Sequence, residues 1–348
     1  MVGKSHFGST RDGREVSLYT LVAKGIEVRV TDFGACTVGI LVPDARGVVA
    51  DVIPGFDSAD GYLDNPSFFG ATVGPSCNRI AGAAIEIDGV TWHLAANEGT
   101  NNLHTDIDHG LHKRLWDAET TEGSVTMHTH LSDGELGLPG ERDFSARFEV
   151  VDGGIFRLTY HASSDRTTFV NMTDHLYLNL RGHDSGLILD QLLTLHAHRF
   201  TPVAKGSIPT GELREVTGTP FDFTVGKAIG TDLEDDCEQL GLTGGFDHNF
   251  CIDGYTGDGS LLNAAHVSDP VSGRMLDVST TQPGIQFYAG NYVGDAHAKD
   301  GVDYGPRSSF ALETQFFPDT PHHDGFPQAF FGPGHDYEAT TIYSFSAR

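Results

Sequence analysis

Apolar and polar residues alternate along much of this chain. Ala84-Ile85-Glu86-Ile87 alternates, Asp88-Gly89 interrupts, and Val90-Thr91-Trp92-His93-Leu94 alternates back. A period of two is the side-chain period of a strand. Asp-Gly between two such runs predicts a hairpin, because a type I′ turn needs positive φ at both central residues. Phe144, Ala146, Phe148 and Val150 share one strand face; Asp152-Gly153-Gly154 turns the chain, and Phe156, Leu158 and Tyr160 return. Val48 to Ile53 and Met275 to Val278 predict further short strands. Helical periodicity is nearly absent. Its one candidate is Asp232 to Leu240, whose acidic residues suit a helix start.

Many short strands joined by turns mean a sandwich or a barrel. Composition sharpens this: 43 of 348 residues are glycine, well above the usual level of about 7%. No linker, low-complexity stretch or fixed-period repeat divides the sequence, so residues 1–348 are expected to form a single all-β domain, a large β-sandwich with few short helices.

Charge removes several function classes. With 22 Lys+Arg against 48 Asp+Glu, the formal net charge is −26, which repels a nucleic-acid backbone and an anionic membrane surface alike. The first residues show no signal-peptide pattern. Cys36, Cys77, Cys237 and Cys251 form no C-x-x-C pair. Reduced cysteines in a cytoplasmic protein are therefore expected.

Motifs for dinucleotides, phosphate loops and HExxH zinc sites are absent. His128 with His130, His196 with His198, and His322-His323-Asp324 could be read as metal ligands, the first two pairs sharing a strand face, but 18 histidines generate such pairs by chance, and no metal is expected. His175, Tyr177 and Asn179 alternate with Leu176, Leu178 and Leu180, so a strand here carries one polar row and one leucine row. Such a row suits either a sugar-binding face or plain solvent. Glu313 lies between Leu312 and Thr314 in a largely apolar run, where burial would raise its basicity.

Six pieces, taken in order, resemble the aldose 1-epimerase (galactose mutarotase) family. They are Asn78-Arg79-Ile80-Ala81-Gly82, Asn102-Leu103-His104, Asp174 to Leu180, Phe246-Asp247-His248-Asn249-Phe250, Gln282 to Tyr288 with Gly290-Asn291, and Leu312-Glu313-Thr314-Gln315. The resemblance covers nearly the whole chain. It implies a galactose mutarotase-like sandwich that interconverts the α and β anomers of a free aldose such as galactose or glucose. By position it implies His175 as general acid and Glu313 as general base. Arg79, His104 and Asp247 are implied sugar-binding residues, together with Asn78 and Tyr177. Where the family usually has two glycines after the first histidine, this chain has Thr105-Asp106, side chains expected to reshape the pocket mouth.

The chemistry asks for such residues. A hemiacetal opens when its ring oxygen gains a proton and its C1 hydroxyl loses one, so an acid and a base must serve one carbon. No electron or group leaves the sugar, so no cofactor is expected, and the partner is a small-molecule sugar. His175 and Glu313 should face one pocket across a sugar-sized gap. Two alternatives stay open: a non-catalytic carbohydrate-binding protein of the same fold, and an epimerase acting on another sugar, such as a reducing disaccharide. A sugar-phosphate epimerase would need extra cations at the pocket.

Overall fold

A computed structural model describes residues 2–348. Three antiparallel sheets dominate it. The first has five strands in chain order: Val2–Ser9, Glu15–Ala23, Ile26–Thr31, Cys36–Pro43 and Val49–Asp51. The largest has nine; its central strands run Arg142–Val151, Ile155–Ser164, Tyr337–Ala347 and Arg274–Thr280. The third has six, with the order Tyr177–Leu178, Phe310–Gln315, Gly284–Tyr288, Asp247–Cys251, Arg199–Phe200 and Arg214–Glu215.

The nine- and six-stranded sheets form a sandwich. Alternation sends Phe144, Phe148, Phe156, Leu158 and Val278 inward from the large sheet, and Leu312, Ile285, Phe287 and Phe250 inward from the six-stranded one. All belong to one apolar cluster, which extends into the five-stranded sheet through Val28, Val30 and Ile40. Burial of such side chains contributes about 1.5–3 kcal/mol each. The hydroxyls of Thr314 and Thr341 bridge the layers at 2.5 Å.

The predicted hairpin is present as Ala84–Ile87 paired with Val90–His93. Its turn residues Asp88 and Gly89 have φ of 51° and 75°, as the type I′ reading requires. The predicted helix moves: the chain is helical over Glu238–Thr243, not from Asp232. Asp232, Glu234, Asp235 and Asp236 crowd like charges into one turn, and Asp232 pairs with Lys227 instead. A second short helix, Ala59–Asp64, has no counterpart in the sequence reading. Among the described residues no helix is long and apolar enough to cross a membrane.

Candidate active site

Asn78, Arg79, His104, His175, Tyr177, Asp247 and Glu313 all line one cavity of about 430 Å³, within the usual size range of small-molecule sites. The outward face of the six-stranded sheet forms much of its floor. Glu313 pairs with Gln286, while Ala311 pairs with Tyr177 on one side and with Tyr288 on the other, and Tyr288 pairs with Asp247. Directly paired residues share a face, so the leucine and phenylalanine row that fills the sandwich leaves this polar row facing out. The expected strand through His175 is broken in two: Thr173–His175 pairs with Ala71–Val73, and Tyr177–Leu178 pairs with Phe310–Gln315. Asn179 falls outside the pocket. Its amide donates to Gly186 and Ser308 carbonyls and accepts from Gln191.

His175 Nε2 lies 3.6 Å from Glu313 Oε1. This is closer than the sugar-sized gap expected from the sequence. The ring oxygen and O1 of an aldose are both bonded to C1, so two groups this close can reach both oxygens from one edge. Burial acts on each group in the same sense, against its charged form. The His175 imidazole is pushed down to about 4. The Glu313 carboxyl is pushed well above its ordinary value by burial and then by Asp247, with Arg79 opposing. Neutral imidazole with carboxylic acid, and imidazolium with carboxylate, contain the same number of protons. The pair therefore holds one proton, which titrates as a shared property.

His104 is set by backbone. The Asn78 amide donates to His104 Nδ1 at 3.1 Å, and the His104 amide donates back to the Asn78 carbonyl at 3.0 Å. With Nδ1 accepting, a neutral ring carries its proton on Nε2. Burial, followed by repulsion from His175 and Arg79, keeps the ring neutral. His104, His175 and Glu313 offer ligand atoms within 4.8 Å of one another. This trio fits a metal poorly, because one His104 nitrogen is a filled acceptor and the other bears hydrogen. Asn78, Phe68, His104 and Thr105 have φ of 56°, 59°, 55° and 66°, a concentration of left-handed non-glycine residues of the kind that accumulates at working sites.

The rest of the cavity is a charge network. Arg79 forms a two-pronged pair with Glu98, Nε to Oε2 at 2.8 Å and Nη2 to Oε1 at 2.9 Å. Its Nη1 lies 3.7 Å from Asp247 Oδ2. Gln286 donates to Asp247 Oδ1 at 2.7 Å. Although burial opposes it, the Arg79 charge is reinforced by Asp247 and Glu98. Thr105 and Asp106 do not line the pocket. Thr105 Oγ1 is buried, donating to the Ser76 carbonyl and accepting from the Ser76 amide, and Asp106 caps the following turn through the amides of Asp108 and His109.

Sequence reasoning assigned no role to Glu98, Gln286, Tyr288 or Phe68. Gln286 alternates with Ile285 and Phe287, a period-two signal that would have placed it beside Glu313. Glu98 and Phe68 lie in irregular segments with no periodicity to read. Of the close histidine pairs, His130 binds Glu141 and Asp143, and His198 binds Asp253, all on the surface.

Fold and site together define a β-sandwich whose cavity brings an imidazole and a carboxyl group within 3.6 Å of each other, beside an arginine, a second histidine and a second carboxyl group. Comparison with known proteins supplies the family. The aldose 1-epimerase family model matches residues 17–344. A galactose mutarotase from Bos taurus is 38% identical over 332 residues, covering 95% of this chain and 94% of its own length. An aldose 1-epimerase from Escherichia coli is 34% identical over 340 residues, 97% of each chain. Among solved structures, an aldose epimerase homologue from C. elegans superposes with a TM-score of 0.87 at 28% identity, covering 95% of this chain and 99% of the other. A galactose 1-epimerase from Lactobacillus acidophilus gives 0.86 at 25%, covering 100% and 99%. The chain belongs to the aldose 1-epimerase family.

Proposed function

We propose that this member interconverts the α and β anomers of a free neutral aldose such as galactose or glucose, with His175 and Glu313 as the proton-transferring pair. The observation that carries the reading is their approach to 3.6 Å at the floor of a cavity lined by Arg79, His104 and Asp247. One group gives its proton to the ring oxygen while the other takes the proton of O1, and the ring opens. After rotation about C1–C2, the aldehyde closes on its other face and the proton returns. The pair ends as it began, so the cycle needs one proton and no external acid. Positioned acid–base groups of this kind contribute about 10²–10⁴-fold each, and fixing them on one sheet adds orientation.

His104 Nε2–H donates to a sugar oxygen beside the reacting edge, and Asp247, held by Gln286, accepts from a hydroxyl further out. A buried acceptor of this type rejects an analogue that lacks the matching hydroxyl. Asn78 acts by fixing His104 through its backbone, and Tyr177 walls the cavity beside His175, the two rings 5.0 Å apart. Residues 1–348 act as one unit in this reading, supported by the apolar cluster that joins all three sheets. The test is polarimetry of freshly dissolved α-D-galactose and α-D-glucose. Faster approach to equilibrium than buffer alone is expected; no acceleration for any common aldose defeats the proposal.

A further inference from the structure

Glu98 stands on a rigid support at the cavity rim. Its backbone exchanges two hydrogen bonds with Asn101, both 3.1 Å. The neighbouring Asn97 side chain grips Leu103, donating to its carbonyl and accepting from its amide, both at 2.7 Å. Leu103 is in turn the strand partner of Arg79. Glu98 therefore holds a fixed place opposite the guanidinium rather than following it.

That place is the one an anion would take. A guanidinium offers carboxylates and phosphates its two-pronged Nε/Nη2 edge. Here Glu98 occupies that edge at 2.8 and 2.9 Å, and Asp247 stands 3.7 Å from Nη1. Among the described residues lining the cavity, Arg79 is the one permanent cation, against the carboxyl groups of Glu98, Asp247 and Glu313. The Arg79 side chain is only 13% exposed, so solvent screens little of this field.

We infer that Glu98 is a specificity-determining residue: by filling the anion-binding edge of Arg79 it makes the pocket reject aldoses that carry a carboxylate or phosphate, and reserves it for uncharged ones. The inference rests on the aldose 1-epimerase reading and adds to it a class of sugar that is turned away. A uronic acid presents its carboxylate to Glu98 and Asp247, with no free guanidinium edge to receive it. Once Glu98 is uncharged, the same edge becomes the natural receptor for that group.

The experiment compares D-galactose with D-galacturonate at neutral pH and constant ionic strength, in the intact protein and in Glu98→Gln and Glu98→Asp. The wild type is expected to favour galactose strongly in kcat/KM. Glu98→Gln should shift the galacturonate-to-galactose ratio upward by about tenfold or more, the scale of removing one charge near another in a poorly screened site. The shift should lie mainly in KM. Glu98→Asp keeps the charge and should keep the wild-type ratio. A role confined to holding Arg79 in place would move both sugars alike and leave the ratio of Glu98→Gln unchanged, and that result overturns the inference. A measurement on the wild type alone guards against a variant that does not fold: galacturonate should inhibit galactose turnover only far above the galactose KM, and inhibition near that KM overturns the inference equally. Wild type inactive on galactose instead fails the aldose 1-epimerase reading itself.

Discussion

Two cavities of similar size and similar residue types differ in one property. The candidate active site measures about 430 Å³. A second cavity of about 380 Å³ is bordered by Asp51, His183, Lys299 and Asp300. Both contain histidine, carboxylates and a cation. In the second, the buried polar groups are satisfied by the protein. Lys299 Nζ donates to the Val38 and Ile53 carbonyls at 2.6 and 2.9 Å and to Asp51 Oδ2 at 2.9 Å. His183 uses both nitrogens, with Tyr304 at 2.7 Å and Asp300 at 3.2 Å. In the first, Glu313 Oε2 and His175 Nδ1 are buried with no hydrogen-bond partner among the described residues. A protein leaves buried groups unmatched at a cost of about 1–3 kcal/mol each, and it tolerates that cost where a substrate supplies the partner. Unused bonding capacity at the His175–Glu313 pair, rather than composition or volume, separates the two cavities.

Substitution at the reacting pair should expose this difference most strongly. Glu313→Gln keeps the shape but can neither give nor take a proton, and kcat is expected to fall by about 10³-fold. His175→Asn should fall by about 10²–10³-fold for the same reason. Neither should lower the melting temperature, because each removes a poorly matched buried ionisable group. Polarimetry and calorimetry on the same preparations check both halves. A near-wild-type rate from either variant would reject the assigned roles.

The second cavity should answer in the opposite way. Lys299→Met deletes the cation beside Asp51, whose side chain is 12% exposed, and strips two buried carbonyls of their donor. Breaking a buried pair costs about 3–5 kcal/mol, so denaturant unfolding should show a loss near the lower figure, with galactose kcat within about twofold of wild type. A large loss of kcat with stability intact would erase the contrast between the cavities.

The same contrast explains what the amino-acid sequence disclosed. The sandwich was legible because alternation is enforced wherever one strand face meets the core, as in Phe144 to Val150 and its partner Phe156 to Tyr160. The 84–93 hairpin was legible because few residue pairs other than Asp-Gly accept two positive φ angles in succession. The misplaced helix start at Asp232 shows local charge repulsion overriding an acidic cap signal. At the site, His175 and Glu313 are 138 positions apart, and only a resemblance to whole relatives brought them together. Asn179 misled because a period-two row ends where its strand breaks after Tyr177–Leu178. What Glu98, Phe68 and the backbone of Asn78 do was not legible, since it depends on left-handed turns and ion pairs that carry no periodicity.

The pH profile sharpens the comparison further. A free imidazole and a free carboxylate would set limbs near their ordinary values of about 6.5 and 4.3. Burial moves the limbs apart. Activity requires the pair to hold one proton, so it is lost when acid adds a second or base removes the first. The acid limb follows His175, pushed down to about 4, and the alkaline limb follows Glu313, pushed up. The bell expected from an acid–base pair is thus broad, with kcat steady through neutrality and falling only near pH 4 on the acid side. An alkaline limb near 6.5 would mean that solvent reaches the pair and that the cavity floor is not dry.

Phe68 provides the smallest and most local test. Its backbone is held left-handed at φ 59°, which directs the ring between three imidazoles, with centroids 4.9 Å from His104, 4.9 Å from His112 and 5.8 Å from His175. Such contacts contribute about 0.5–1.5 kcal/mol beyond the area they bury, and this ring also seals the flank of His175 against water. Phe68→Leu keeps an apolar side chain but loses the flat surface. Stability should drop by about 1 kcal/mol and kcat by several-fold. The informative readout is the acid limb of the kcat profile, which should move up from near pH 4 toward the free imidazole value, because water entering beside the ring restores the solvation that burial had removed. Loss of rate with the limb unmoved would assign Phe68 to packing alone and place the dryness of the site elsewhere in its wall.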